Sequence, residues 1–341
     1  MDDNIRGDSI LEVRHLRTSF FADGSELRAV DDMSYSVRRG EFCAIIGESG
    51  SGKSVSALSV MRLISYPPGF IKGGEIIFDG RDLMGVSDKE MQSIRGSEIS
   101  MIFQEPGTAL NPVMTVGAQI AENIRLHEKG VSRAEAEKRA AELLALVDIP
   151  NPETRIRDYP HQFSGGMKQR AMIAMAMSCR PKLLFADEPT TALDVTVQAQ
   201  VLEQMNDMRR RFGTSLVLIT HNLGVVARYA DSVKIMYGGR IVESGTTDDI
   251  FLSPAHPYTM GLIRAVPRLD LPRSHGLYTI RGEPPDMSAT PPDCCPFYYR
   301  CPYEDGRCRT ERPADEEASP GHVCACFRRE LAAADWKEAG T

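Results

Sequence analysis

A glycine-rich loop joins a short apolar run to a segment that can form a helix. The loop, Gly47 to Ser54, reads GESGSGKS and directly follows the apolar run 42–46. Such a loop bends until its amide hydrogens face an anion, which also rests on the N-terminus of the following helix. The chain must therefore bring a strand end against a helix start. This feature predicts an α/β fold that binds a nucleotide.

Individual residues of this loop predict distinct contacts with a nucleotide. Lys53 is expected to reach the two outer phosphates, and the Ser54 hydroxyl is expected to be a ligand of Mg²⁺. The other loop residues assigned to the nucleotide are Gly47, Ser49, Gly50 and Gly52. A surface turn rich in glycine and serine would show a similar pattern, so the other parts of a nucleotide site must also be found.

Two carboxylates follow a second apolar run. Residues 183–186 precede Asp187 and Glu188, the pattern of a buried parallel strand that delivers acids to the edge of a sheet. We expect Asp187 to hold Mg²⁺ and Glu188 to orient or deprotonate the attacking water. An acidic pair after a strand can also be a helix cap. Its occurrence together with the phosphate loop favours the catalytic interpretation.

Two further polar residues also stand where apolar strands end. Gln104 follows the run 99–103, and His221 follows the run 215–220. If these strands are parallel to the strand before Asp187, all of these side chains lie at one edge of the sheet, where open α/β sheets bind ligands. Gln104 can then contact the metal and the attacking water, and a neutral His221 can hydrogen-bond the γ-phosphate. Each residue alone is more often a satisfied polar group.

A second glycine-containing turn precedes another predicted helix. Ser164, Gly165 and Gly166 come before the stretch that begins at Lys168, which should start a helix. A hydroxyl and two glycines at a helix N-terminus predict a second anion site. Alone, this stretch would be taken for an ordinary glycine turn.

Together and in this order, these elements resemble the ATP-binding subunit of ATP-binding cassette (ABC) transporters. The resemblance covers about Leu11 to Gly245 and includes the stretch from Ala192 to Asp194. It implies the P-loop NTPase fold of an ABC cassette, with a RecA-like core, a β-rich lobe and a helical subdomain. ATP and Mg²⁺ are the ligands that it implies.

The resemblance also implies that two subunits pair head to tail. The Ser164, Gly165 and Gly166 signature would then act on the nucleotide held by the partner's phosphate loop, with Asp194 at the seam. An aromatic residue near the start usually stacks on adenine, and Phe20 is the first candidate, followed by Phe21. The signature has Phe163 where the commonest form has Leu and Met167 where it has Gln. Because the hydroxyl and both glycines are present, we expect it to function.

The sequence pattern and the resemblance together predict three parts of the chain. The nucleotide-binding core with its β-rich lobe is assigned to residues 1–106 and 180–250, the helical subdomain with the signature to 107–179, and a small Cys-rich C-terminal extension to 251–341. Alternating β-like runs and turns such as Asp79-Gly80 predict the lobe. In the helical part, Ser132 marks a helix start. The apolar face of that helix is predicted at Ala136, Ala140, Leu143, Leu144 and Val147.

The cysteines are concentrated near the C-terminus. Six of the eight lie between Cys294 and Cys326, whereas Cys43 and Cys179 stand in apolar surroundings and are interpreted as core residues. In a cytoplasmic protein such a cluster favours metal binding over disulfides. Five, six and seventeen residues separate the successive members of the set Cys295, Cys301, Cys308 and Cys326. This spacing is unlike the tight cysteine pairs of common zinc sites. Four thiolates could instead hold an iron-sulfur cluster.

The C-terminal stretches narrow the resemblance. His256 to Thr259, Gly282 to Pro285 and the run from Cys295 to Cys301 resemble the C-terminal extension of the dipeptide/oligopeptide importer ATPases. In that group four cysteines, matching Cys295, Cys301, Cys308 and Cys326 here, can bind a 4Fe-4S cluster. Cys294 and Cys324 are additional to the pattern. A zinc site or a set of free thiols remains an alternative.

Charge and hydropathy limit the partners of this chain. The net charge of −7 over 341 residues argues against nucleic acid as a partner. No apolar run approaches the ~18 residues needed to span a membrane, and residues 1–4 lack the pattern of a secretion signal. We expect a peripheral protein at the cytoplasmic face of the inner membrane, held there by a partner.

The resemblance implies several partners. These are two membrane permease subunits, a second homologous ATPase chain that forms a heterodimer, and an extracytoplasmic solute-binding protein reached through the permease. A groove for a permease helix is predicted at Glu105, Pro106, Leu110, Asn111 and Pro112. The expected function is ATP hydrolysis that energises import of di- or oligopeptides, with nickel or oligosaccharides as alternative solutes. A soluble ABC ATPase acting on DNA or ribosomes, or a redox-sensing module, is the alternative from another class.

Overall fold

Strands and helices alternate over residues 183–237, as expected for an α/β protein. The computed structural model describes residues 8–22, 24–104, 109–190, 193–267, 278–288, 290–291 and 293–338. The predicted groove residues Glu105 and Pro106, and Ala192 of the predicted seam, lie outside them.

Twelve strands are formed by the described residues. They are β1 Ser9–Ala22, β2 Ser25–Arg38, β3 Phe42–Ile46, β4 Gly69–Phe78, β5 Arg81–Asp82, β6 Ile99–Ile102, β7 Leu183–Asp187, β8 Ser215–Thr220, β9 Ser232–Tyr237, β10 Arg240–Thr246, β11 Glu316–Ser319 and β12 His322–Cys324.

The described residues also form twelve α-helices. They are α1 Lys53–Val60, α2 Asp88–Ile94, α3 Val116–His127, α4 Arg133–Leu146, α5 Pro152–Arg155, α6 Gly165–Ala176, α7 Val195–Phe212, α8 Leu223–Tyr229, α9 Thr247–Leu252, α10 Pro257–Arg264, α11 Gly306–Thr310 and α12 Arg329–Glu338. Single-turn 3₁₀ helices occupy Pro160–Gln162 and Tyr298–Arg300.

The chain is organised as two compact units. The first consists of Ser36–Phe42, Ile77–Ile219 and the described part of Met1–Leu11, and the second consists of Glu12–Tyr35, Cys43–Ile76 and the described part of Thr220–Thr341. The predicted three-part division of the chain stays a prediction.

Parallel strands form the centre of the first unit. Strand β7 pairs in parallel with β6 on one side and with β8 on the other. All five residues of β7 and all six of β8 are buried, as expected for parallel strands covered on both faces. The prediction of a parallel sheet from the apolar runs is therefore confirmed for this unit.

The helical segment of the first unit follows its predicted pattern. Helix α4 begins after Ser132, whose hydroxyl accepts a hydrogen bond from the Glu135 N–H at 3.2 Å. The predicted apolar face of this helix is buried at every position, namely Ala136, Ala140, Leu143, Leu144 and Val147. The 3.6-residue periodicity of the sequence is thus confirmed here.

One residue of the predicted permease groove is buried. Leu110 is only 2% exposed, because it belongs to the apolar core, and it cannot contribute to an open groove. Asn111 and Pro112 are exposed, and the neighbouring Val113 is 79% exposed. The prediction is corrected for Leu110, whereas Asn111 and Pro112 are accessible.

In the second unit the C-terminal part of the chain continues the sheet that begins at the phosphate loop. Strand β3 pairs in parallel with β9, and β9 pairs antiparallel with β10. Strand β12 then adds to β10, with Glu243 opposite Cys324, and β11 adds to β12. Phe297, Cys295 and Cys308 are buried in the same apolar cluster as residues of β3 and β9.

A second sheet contains the long N-terminal strands. Its order is β2-β1-β4, and β4 pairs with β5 through the turn Asp79-Gly80. Both turn residues have positive φ, 49° and 76°, as a tight two-residue hairpin turn requires. The predicted β-rich segment and its turn are confirmed.

Candidate functional site

The phosphate loop lies between β3 and α1 in the second unit. Helix α1 begins at Lys53, and Gly52 precedes it in the left-handed conformation. The Lys53 ammonium is buried and donates hydrogen bonds to the carbonyl oxygens of Gly47 and Glu48, both at 2.9 Å. The loop thus curls around the side chain that the sequence assigns to the outer phosphates.

Two glycines of the loop occupy positions that have no room for a side chain. A Cβ at Gly47 would lie 2.2 Å from the carbonyl oxygen of Met236, and a Cβ at Gly52 would lie 2.1 Å from that of Ala29. Because both neighbours are backbone atoms of strands, they cannot rotate away. The first and sixth positions of the loop therefore require glycine for close backbone approach.

The remaining predicted residues of this part are accessible. Ser49 and Gly50 are exposed at the tip of the loop, and Ser54 is half-buried in the first turn of α1. The half-buried Phe20 ring packs close to Gly69, where an added Cβ would meet it at 2.6 Å. Phe21 is 55% exposed and stacks on Phe70 with ring centroids 5.1 Å apart. Phe21 thus presents the more open ring, while the order of these two adenine candidates stays a prediction.

The predicted acidic residues lie at the end of β7 in the first unit. Pairing of β6 with β7 sets Ile102 opposite Ala186, so Gln104 and Glu188 stand at the same level beyond the strands. The Gln104 side-chain amide donates a hydrogen bond to a Glu188 carboxylate oxygen at 3.1 Å. The parallel register therefore brings together two residues that are 84 positions apart in the sequence.

The backbone at the end of β7 changes direction at the predicted base. Asp187 is the last residue of the strand and is buried. Glu188 has a φ of 44°, and its N–H donates to the carbonyl oxygen of Ile219 at 2.9 Å. A non-glycine residue in this region of backbone conformation is uncommon.

The signature starts its helix earlier than the sequence indicated. Helix α6 begins at Gly165 rather than at Lys168, because the Ser164 hydroxyl caps the helix by accepting from the Met167 N–H at 3.3 Å. Both signature glycines therefore lie in the first turn. An added Cβ at Gly166 would approach Val197 to 3.1 Å. The predicted helix N-terminus is present, with Ser164 and Gly165 exposed and Gly166 half-buried.

Two more predicted residues stand at element ends. Asp194 precedes α7 and accepts a hydrogen bond from the Val197 N–H at 3.0 Å, so it caps that helix. His221 is exposed directly after β8. The predicted nucleotide residues are thus divided between the units: Gln104, Ser164, Gly165, Gly166, Asp187, Glu188 and Asp194 belong to the first, and Phe20, the phosphate loop and His221 belong to the second.

Four of the C-terminal cysteines surround one small cavity. Cys295, Cys301, Cys308 and Cys326 line a space of ≈ 10 Å³ together with apolar side chains. Burial, with a smaller contribution from the neighbouring cysteines, raises the pKa of Cys295 and of Cys301 to about 12. Within the described ranges, no three His, Cys, Asp or Glu side chains are arranged so that they could hold a metal ion. The four sulfurs are gathered but not arranged as a finished metal site.

The two additional cysteines do not line this cavity. Cys294 donates to the carbonyl oxygen of Pro291 at 3.2 Å, and Cys324 is buried in β12. Of the two predicted core cysteines, Cys43 is fully buried, whereas Cys179 is only half-buried and contacts the polar side chains of Asn123 and Ser178. The interpretation of Cys179 as a core residue is corrected.

Sequence reasoning missed the polar residues that join the C-terminal region to the phosphate loop. Arg300 forms an ion pair with Glu48, and the Tyr258 hydroxyl accepts a hydrogen bond from the Glu48 N–H. Both residues lie in stretches that carried the family resemblance, but no spacing or motif in the chain links them to Glu48. Only the folded chain shows these contacts.

No helix in the described part of the chain is both long enough and apolar enough to cross a membrane.

Two family models match the sequence. The model described as ABC transporter matches residues 30–191. The model described as oligopeptide/dipeptide transporter, C-terminal region, matches residues 242–308.

Curated relatives match nearly the whole chain. The oligopeptide transport ATP-binding protein OppD of Bacillus subtilis (strain 168) is 53% identical, over 88% of this chain and 83% of the relative. The dipeptide transport ATP-binding protein DppD of the same organism is 48% identical, over 94% and 95%. OppD of Escherichia coli (strain K12) is 47% identical, over 95% and 94%.

Solved structures have the same fold. MJ0796, a bacterial ABC transporter cassette solved as a dimer, has a TM-score of 0.63 at 25% identity and covers 70% of this chain and 98% of its own. CbiO1 from Clostridium perfringens has a TM-score of 0.61 at 25% identity, over 72% and 91%. The predicted ABC cassette fold and the expected ATPase activity agree with all of these matches. The chain belongs to the ATP-binding proteins of ABC transporters, in the group that has the oligopeptide/dipeptide transporter C-terminal region.

Proposed function

We propose that this chain is the ATP-hydrolysing subunit that energises import of di- and oligopeptides through a membrane permease. The peptide class is supported by the match of residues 242–308 to the oligopeptide/dipeptide transporter C-terminal region and by relatives that are named for peptide transport. For the chemistry, the observation that carries the proposal is the hydrogen bond between Gln104 and Glu188 at the end of β7.

Glu188 is proposed as the base that accepts a proton from the attacking water. The Gln104 amide orients the Glu188 carboxylate, so the proton acceptor is held before the substrate arrives. Lys53 and the loop amides bind the phosphates of ATP, and His221 hydrogen-bonds the γ-phosphate. Because water attack on the γ-phosphate yields ADP and phosphate, the base needs only to take one proton and release it later.

The residues present fit a Mg²⁺ ion. Asp187 offers a buried carboxylate at a strand end, and Ser54 offers a hydroxyl in the first turn of α1. Oxygen donors of this kind suit Mg²⁺, which usually binds one or two protein ligands together with substrate phosphates. Asp187, Ser54 and Gln104 would hold the ion, which neutralises charge that develops on the phosphates.

Hydrolysis is proposed to need a second ATPase chain. The capped N-terminus of α6 at Ser164, Gly165 and Gly166 would face the nucleotide of the partner subunit, with Asp194 at the seam. The dimeric MJ0796 cassette supports a paired arrangement. We infer a related but different partner chain, two permease subunits that hold the pair at the cytoplasmic face of the inner membrane, and an extracytoplasmic solute-binding protein.

We also propose that Cys295, Cys301, Cys308 and Cys326 are ligands of a 4Fe-4S cluster. Four thiols around one enclosed space form a soft donor set that suits iron-sulfur chemistry. The cavity of ≈ 10 Å³ holds about one water molecule, so the sulfurs must move apart to admit a cluster. Ligation would also displace the four thiol protons.

The cluster is tested by measuring the iron and acid-labile sulfide content of anaerobically purified protein. We expect about four of each per chain, with a brown absorbance that Cys301→Ser removes. Cys294→Ser is the matched control, because Cys294 adjoins the predicted ligand Cys295 but does not line the cavity. Protein that contains zinc or no metal, or an equal loss in both variants, would eliminate the proposed ligand set.

Reconstitution with the chain's own permease and solute-binding protein tests the transport function. Di- and oligopeptides should stimulate ATP hydrolysis by the assembled complex, whereas nickel ions and oligosaccharides should not. Stimulation by nickel or by a sugar alone would replace the peptide assignment. An assembled complex that binds ATP but responds to none of these solutes would contradict the importer proposal.

A further inference from the structure

We infer that Arg300 and Tyr258 hold Glu48 of the phosphate loop and thereby set the affinity of the loop for ATP. Both residues belong to the C-terminal part of the chain, beyond the region matched by the ABC transporter model. The inference rests on the proposed function, because it concerns the same nucleotide site. It assigns Arg300 and Tyr258 as positioning residues, which act through Glu48 and not on the nucleotide itself.

The Glu48 carboxylate is held by two hydrogen bonds from one guanidinium group. Arg300 Nη1 lies 2.6 Å from one carboxylate oxygen, and Nη2 lies 3.1 Å from the other. The Arg300 side chain is only 3% exposed, while that of Glu48 is 25% exposed. A bidentate pair of this kind fixes direction as well as distance. It therefore determines where the carboxylate beside the phosphate site points.

The backbone of Glu48 is held as well. Its N–H donates to the Tyr258 hydroxyl at 2.9 Å, and its carbonyl oxygen accepts from Lys53 Nζ at 2.9 Å. All three polar groups of this residue are thus bonded to side chains. A change at Tyr258 or Arg300 would therefore be transmitted to the part of the loop that positions Lys53.

The positions of Arg300 and Tyr258 are themselves fixed by packing. Arg300 donates from Nε to the carbonyl oxygen of Arg281 at 2.9 Å and from Nη1 to the Tyr237 hydroxyl at 3.2 Å. The Tyr237 ring packs on Tyr258 and Phe297, with centroids 4.5 and 5.2 Å away. Buried aromatic pairs of this kind favour one arrangement. Arg300 and Tyr258 therefore form a rigid support beneath Glu48.

The charge of Glu48 explains why this support matters for ATP. A carboxylate in the loop that binds the triphosphate repels it, and partial burial strengthens that repulsion. The Arg300 guanidinium neutralises the carboxylate and fixes its direction. Loss of Arg300 would leave an uncompensated negative charge in the anion site, so removal of that charge should restore binding.

Equilibrium ATP binding by the full-length chain tests the inference. Arg300→Gln should weaken ATP binding about tenfold, as expected when one partner of a partly buried charge pair is removed. Glu48→Gln in the same chain should restore the affinity to within about threefold of wild type, because the unpaired charge is gone. The matched control is Arg309→Gln, whose arginine pairs with Glu304 at an exposed site and which should bind ATP like wild type.

Tyr258→Phe provides a second variant that keeps the buried ring and removes only the hydroxyl. It should weaken ATP binding about threefold, the effect of one lost hydrogen bond. If Arg300→Gln does not fold, wild-type affinity in Tyr258→Phe overturns the inference.

The possible results separate the inference from the proposed function. A wild-type chain that does not bind ATP contradicts the proposed function. A wild-type chain that binds ATP, combined with equal affinities for Arg300→Gln and Arg309→Gln, overturns only the inference. Weak binding that Glu48→Gln fails to restore would also overturn it, since Arg300 would then have a merely structural role.

Discussion

Replacement of Gly52 by alanine tests whether the phosphate loop depends on close backbone approach. Gly52 has a φ of 98°, and an added Cβ would lie 2.1 Å from the Ala29 carbonyl oxygen, about 0.9 Å inside the 3.0 Å limit of real contacts. Left-handed strain should cost about 1 kcal/mol. Displacement of the loop or of β2 should add about 1–3 kcal/mol, as overpacking in a well-packed region does.

Gly321→Ala is the matched control for this variant. Gly321 has a φ of 78°, but an added Cβ would meet nothing within 4 Å. Both variants therefore carry the backbone strain, and only Gly52→Ala carries the clash. Urea unfolding should give a free energy of unfolding about 1–3 kcal/mol lower for Gly52→Ala than for Gly321→Ala.

ATP binding should separate the same two variants more strongly. Because the clash shifts the loop amides, Gly52→Ala should lose at least about tenfold in ATP affinity, whereas Gly321→Ala should bind like wild type. If the two variants match in both unfolding and ATP binding, the loop tolerates a side chain at this position. The argument from the Ala29 contact would then be refuted.

Three further predictions concern separate parts of the structure. Glu188→Gln should retain ATP binding but lose hydrolysis by about 10²–10⁴-fold in the assembled complex, and near-normal turnover would remove Glu188 from the role of base. Burial lowers the pKa of His256 to about 4, although the Glu243 charge opposes this shift; the unfolded chain therefore takes up a proton below pH 6.5 that the folded chain does not. Between pH 6.5 and 4 the free energy of unfolding should fall by more in wild type than in His256→Asn, a variant that keeps a helix-capping side chain. If the free energy of unfolding has the same pH dependence in both proteins, His256 is not the group responsible. Val113→Asp should reduce co-purification with the permease and leave ATP binding unchanged, whereas Leu110→Asp should unfold the chain. If Val113→Asp binds the permease at the wild-type level, the exposed segment from Asn111 to Val113 is not the permease-binding surface.

The strands and their polar ends could be predicted because their signals are local. An apolar run that ends in Asp187 and Glu188 describes a buried parallel strand without reference to the rest of the chain. The Gln104 position needed one further assumption, that β6 and β7 are parallel. The register of Ile102 opposite Ala186 confirms that assumption. The helical face of α4 was equally local, since its spacing alone identified which residues are buried.

The first and last residues of helices, and the burial of individual side chains, were harder to predict from the sequence. The sequence indicated a helix from Lys168, but Ser164 caps the helix and draws both glycines into its first turn. A capping hydrogen bond can offset the poor helix propensity of glycine. Leu110 was predicted to be accessible and Cys179 to be buried, and both predictions were wrong. The burial of such residues depends on which other segments of the folded chain pack against them. Periodicity carries no such information about short irregular stretches.

The least predictable contacts connect distant parts of the second unit. Cys308 and Cys326 are separated by seventeen residues, and their approach depends on the pairing of β12 with β10, which sets Cys324 opposite Glu243. Arg300 lies 252 positions from Glu48, and no motif marks either as the other's partner. Both arrangements rest on one apolar cluster, in which Tyr258, Phe297, Cys295 and Cys308 are buried with residues of β3 and β9. A substitution that disrupted this cluster would disturb the common cavity of the cysteines and the support of Glu48 together, even with every residue of the phosphate loop intact.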